Sequence, residues 1–79
     1  MATVKVTIGN YLAKGLIEEF MTKVDIADLA EVEMCASECI GAYLEMHEGV
    51  WPTIDASFDA IVDACFYSIE EVIENDELQ

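Results

Sequence analysis

Residues 53–75 read TIDASFDAIVDACFYSIEEVIEN, and the architecture turns on how this stretch folds. Ile54, Phe58, Ile61, Val62, Cys65, Ile69, Val72 and Ile73 recur at three- and four-residue steps. That period predicts an amphipathic helix over 54–75. Val50-Trp51-Pro52 just before it reads as a tight connector. Upstream, residues 26–48 predict a second long helix, with Asp25 as N-cap and Gly49 as its stop. Its apolar arc holds Ile26, Leu29, Ala30, Ala36, Ile40, Tyr43 and Leu44. Ser37 and Gly41, small and four apart, mark a place where another helix can approach closely.

Further upstream, Leu12, Leu16, Ile17 and Phe20 predict a shorter helix over 11–23. Asn10 is its expected cap, and Lys14–Glu18 and Glu19–Lys23 are its i,i+4 ion pairs. Residues 3–8 alternate, with Val4, Val6 and Ile8 on one side and Thr3, Lys5 and Thr7 on the other, the mark of a short strand. The expected fold class is therefore all-α: a three-helix bundle, or a helical hairpin plus a short helix, with a short N-terminal β-strand, in one domain over 1–79. A helix of over 20 residues is about 30 Å long. The short first helix cannot cover two apolar faces of that length, which predicts a two-fold homodimer.

The charge is as informative as the period. The 79 residues carry 17 Asp and Glu against 3 Lys and Arg, a formal net charge of -14. All three cations, Lys5, Lys14 and Lys23, lie before residue 24, and from there on the chain has no Lys or Arg. Direct binding to nucleic-acid phosphates needs Lys and Arg and is excluded on that ground. The chain is 54% hydrophobic, too apolar for a disordered acidic tail. No apolar run approaches the ~20 residues that span a bilayer. No basic start followed by an apolar stretch marks a signal peptide, so no membrane association and a cytoplasmic location are expected. Three cysteines, an odd number, fit reduced thiols better than a disulfide framework.

On the expected helices the acids form faces. Glu31, Glu38 and Glu45 fall on one stripe of 26–48, with Met34 set between the first two. Asp55, Asp59, Asp63, Glu70 and Glu74 share the outward side of 54–75, with Tyr67 among them. Residues four apart on a helix stand about 6 Å apart along the axis, near the step between phosphates on a nucleic-acid strand. Eight like-charge pairs at i,i+3 or i,i+4 would each cost roughly 0.2–0.5 kcal/mol. A solvated face gains solubility from mixed charge without that cost. The ten residues are thus candidate contacts to a basic partner, with Tyr67 and Met34 suited to packing against Arg.

Chemistry of other kinds finds little support. Cys35 and Cys39 share a helical side, but with no CxxC pair they read as buried thiols, and no metal or cofactor is expected. His47 stands where the dipole of the second helix ends, a common place for it. Asp55-Ala56-Ser57-Phe58-Asp59 begins like a calcium loop, but Ala60 and Phe66 occupy the positions that need Gly and Glu. No nucleophile constellation or phosphate loop is present, so no enzymatic activity is expected.

In size and acidity the chain is similar to an acyl carrier protein. The expected helix start Asp25-Ile26-Ala27-Asp28-Leu29, however, lacks the Ser that carries the cofactor in that family. On its size, its acidic block and its acidic helical stripes, the chain also resembles the small acidic phage proteins that imitate DNA, the anti-restriction and anti-CRISPR inhibitors. That resemblance implies a non-enzymatic inhibitor of a basic nucleic-acid-binding protein, such as a CRISPR effector or nuclease. A small helical adaptor working through its apolar faces is the alternative.

Overall fold

In the computed structural model, which describes residues 2–72, the strand expected near the start becomes the centre of a sheet. β1 (Ala2–Asn10) lies between β2 (Glu18–Val24) and β3 (Cys65–Glu71), antiparallel to both. One long helix, α1 (Leu29–Met46), crosses a single face of this sheet. A 3-10 turn at Trp51–Thr53 and the short helix α2 (Phe58–Asp63) lead from α1 into β3. This is a small α+β fold, and the all-α expectation is wrong.

The error lies in the two segments read as helices three and one. Within 53–75, only Phe58–Asp63 is α-helical, and Cys65–Glu71 is a strand. Within 11–23, residues 11–15 form a turn and a strand begins at Glu18. Both segments place their apolar residues four apart: Leu16, Phe20 and Val24 in one, Ile61, Cys65 and Ile69 in the other. Residues four apart share a face in a helix and equally in a strand, where every second residue does. Local chemistry then decides. Phe66, Tyr67 and Ile69, like Phe20, Thr22 and Val24, are β-branched or aromatic types that fit a pleated surface. Gly15, with φ +86, ends any helix that starts after Asn10.

The helix expected over 26–48 is present as α1, with its ends drawn in to Leu29 and Met46. Asp28, rather than Asp25, is the N-cap, its carboxylate accepting from the amides of Ala30 and Glu31. Asp25 instead closes the preceding turn, accepting from the Ala27 amide. Asn10 caps no helix: it ends β1, fully buried. Its amide donates to the Ile61 carbonyl at 2.8 Å and to Cys65 Sγ at 3.2 Å, and its oxygen accepts from the Leu12 amide at 2.8 Å.

The core sits between the sheet and α1. Val4, Val6 and Ile8 are 0% exposed, and across the ladder they face Thr22, Phe20 and Glu18 on β2 and Glu71, Ile69 and Tyr67 on β3. From the other side come Ala36, Cys39 and Tyr43 of α1, with Trp51 and Ile61 closing one end. Two polar handles tie this end down. The Tyr43 hydroxyl donates to the Leu16 carbonyl at 2.6 Å, and Trp51 Nε1 donates to the Leu44 carbonyl at 2.7 Å. His47, the C-cap of α1, meets Glu18 of β2 at 2.9 Å and stands edge-on to Tyr43. Gly9 lies under the Phe66 ring, which a Cβ there would strike, and Phe66 in turn packs against Tyr11 at 4.6 Å between ring centres.

With one long helix in place of two, the geometric argument for a homodimer loses its premise. No helix among the described residues is long and apolar enough to cross a membrane. Replacing Ile8 by Ala should cost about 2–5 kcal/mol, read from the urea midpoint, since the side chain is wholly enclosed. Asn10→Leu should cost about 1–3 kcal/mol in the same measurement, because the Ile61 carbonyl loses its donor in a buried bond and the Leu12 amide loses its acceptor.

Candidate functional site

The ten residues expected to form one partner-binding surface divide among three places. Glu31, Met34, Glu38 and Glu45 lie on α1, as read. Steps of seven residues keep the three acids on one side, about 10 Å apart along the axis. Asp59 and Asp63 lie on α2, with Asp55 in the bend before it. Tyr67 and Glu70 lie on β3 and point to opposite faces of the sheet, Tyr67 level with Ile8 and Glu70 level with Lys5. Glu74 lies outside the described residues. The acidic stripe expected on a third helix is therefore not a stripe, and only Asp59–Asp63 keeps the four-residue helical spacing there. Its cost in like-charge pairs shrinks accordingly.

The acids also differ in what they do. Glu31 stands in the first turn of α1, where the helix dipole favours a carboxylate, and its Oε2 accepts from the Asp25 amide at 2.8 Å. It serves the helix start as much as any partner. Glu70 is 3.4 Å from Lys5 Nζ, which also reaches Glu19 at 3.9 Å across the open sheet face. Such exposed pairs stabilise by ~0–1 kcal/mol. The expected Lys14–Glu18 and Glu19–Lys23 pairs are absent: Glu18 pairs with His47 and Glu19 with Lys5. Glu38 and Glu45 are exposed and have no cation within 4.0 Å among the described residues. Beside Glu38, a shallow recess of about 120 Å³ between α1 and β2 gathers Glu31, Met34 and Cys35 with Lys23 and Thr22. Met34 is exposed at its edge, so this part of the expected surface is contiguous.

A larger feature escaped the sequence reading. The C-terminal half of α1 and the 51–61 segment enclose a groove of about 650 Å³. Leu44, Trp51, Pro52 and Phe58 supply its apolar walls, and Glu45 and Glu48 stand along it. Gly41 lines it too, and a Cβ there would meet nothing within 4 Å. Of the two small residues expected to let another helix approach, Gly41 is the available signal: it lines the groove, with open space beside it, and Ser37 does not.

The cysteines are free thiols, Cys39 buried and the other two partly so. Burial above all, then Cys35 beside it and Glu38, pushes Cys39 up from 9.0 to about 11. Burial likewise raises Cys65, against the pull of the Asn10 amide, and raises the Tyr43 hydroxyl. At neutral pH these thiols are protonated and poor nucleophiles. Among the described residues, no three His, Cys, Asp or Glu side chains are placed to hold a metal ion. Searches among known protein families, curated proteins and solved structures find no match to this chain.

The Cys39 thiol gives stability a pH dependence with a definite sign. Between pH 9 and about 11 the unfolded chain releases this proton while the folded chain retains it, so stability falls as pH rises through that window. Urea midpoints measured across it should decline for the native chain, and the decline should be shallower in Cys39→Ala.

Proposed function

We propose that this protein is a non-enzymatic inhibitor that binds a basic, nucleic-acid-binding protein through the carboxylates of α1. Glu38 and Glu45 are the central contacts, Glu31 and Met34 extend them toward the helix start, and Asp59 and Asp63 of α2 add charge from the far side of the groove. The observation that carries this reading is the α1 row, where Glu38 and Glu45 have no cation within 4.0 Å among the described residues, even though Lys23 lines the recess beside Glu31 and Glu38. Among the described residues, Lys5 is engaged on the other face of the sheet with Glu19 and Glu70. From residue 24 onward the chain supplies no Lys or Arg of its own. The missing cations are then a partner's, and a surface that binds phosphates is the commonest place to find them in number. Field strength also favours rapid encounter with such a partner.

Attraction of this kind is screened within about 8–10 Å at physiological salt. Tagged protein should therefore retain DNA- or RNA-binding proteins from bacterial lysate at low salt and release them at about 0.5 M, where the screening length is shorter still. Glu38→Lys combined with Glu45→Lys should abolish that capture with an unchanged circular-dichroism spectrum. Capture that survives the double reversal, or that resists high salt, overturns the reading.

A further inference from the structure

We propose that the groove between α1 and the 51–61 segment receives a basic amphipathic segment of the partner protein. The segment seats apolar side chains against Trp51 and Phe58 and sets Lys or Arg beside Glu45 and Glu48. This rests on the reading that the partner is basic, and it says where on the surface that partner is held and by what kind of sequence.

Three observations converge on it. The groove holds about 650 Å³, within the ~300–1,000 Å³ range of sites that enclose ligands. Its walls are apolar, and Phe58 at its margin is 57% exposed, an aromatic ring that its own chain leaves more than half uncovered. Aromatic surface of this kind anchors interfaces when a partner desolvates it.

The charge around the groove selects among occupants. Glu45 and Glu48 stand on the α1 side, and on the other side Asp55 and Asp59 flank the lining residues Ala56 and Phe58 along the chain. None of the elements that build the groove carries a Lys or Arg. A second copy of the chain would bring another net charge of -14. Residues 73–79 would bring Glu74, Asp76 and Glu77. Like charge opposes both. A plain polycation matches the rim and leaves the walls wet, whereas a purely apolar segment matches the walls and leaves the rim unpaired. An amphipathic helix with apolar residues at i, i+3, i+4 and i+7 and with Lys or Arg between them meets both.

Gly41 offers a test that spares the fold. A leucine there has room, adds apolar bulk at the groove's lining, and favours the helix over glycine. Trp51, the only tryptophan, lines the groove, so its emission reports occupancy. The probe is a leucine–lysine peptide with helical amphipathic spacing. It is compared with a peptide of the same composition in scrambled order and with oligolysine, each titrated into the full chain. The amphipathic peptide should shift Trp51 emission saturably and bind at least about ten-fold more tightly than either control. Gly41→Leu should weaken that binding by about ten-fold while keeping or raising the melting temperature. Glu45→Gln with Glu48→Gln should weaken it and flatten its salt dependence. If all three peptides bind equally and Gly41→Leu changes nothing, the groove is overturned as the site while the acidic surface stands. If none binds even at low salt, both proposals fall.

Discussion

β1 has hydrogen-bonding groups along both edges and an apolar face that no water reaches, so it needs three neighbours at once. β2 and β3 satisfy its two edges, and α1 covers Val4, Val6 and Ile8. An unpaired backbone group in that position costs about as much as a lost hydrogen bond. The demand propagates outward. Residues 18–24 and 65–71 are extended because the central strand needs partners, and α2 is held to six residues because the chain must reach the register that sets Asn10 against Cys65. The buried Asn10 amide fixes this corner by holding the end of α2 and the start of β3 together.

The elements legible in the sequence were those whose pattern admits one period. The 3–8 alternation fits only a strand, and α1 carries an apolar face at both three- and four-residue steps, Ala36, Cys39, Tyr43 with Ile40 and Leu44 beside them. The segments at 16–24 and 61–69 also carry helical spacing, but their four-residue series Leu16, Phe20, Val24 and Ile61, Cys65, Ile69 suits a strand face equally, and what resolves them is a strand far away in sequence. Tertiary demand overrode local pattern there. The same cause scattered the candidate surface. Carboxylates assigned to one helical stripe followed their backbone onto a bend, a short helix and a strand, while those on α1 stayed together because α1 was read correctly. Beyond Gly41, the groove has no mark in the sequence because it lies between two elements whose arrangement depends on β3.

The division of labour between the two sides of the molecule follows from the sheet. One face is spent on the core. The open face carries Lys5 between Glu19 and Glu70, one cation shared by two carboxylates. The α1 carboxylates Glu38 and Glu45, on the opposite side, have no cation within 4.0 Å among the described residues. A partner drawn by charge thus meets a region where apolar walls are also on offer, so attraction at a distance and fit at contact point to the same place.

The wiring of the sheet has a kinetic side. Asn10 meets Cys65 across 55 positions of chain, so pairing the second edge of β1 waits on a far longer loop closure than the hairpin with β2. Until then a Val- and Ile-rich strand stands with one edge open, the configuration that invites pairing between chains. Nascent molecules with a surplus of 14 negative charges repel one another during that interval. Acidity of this order therefore protects the protein while it is still incomplete, before there is any surface with which to bind.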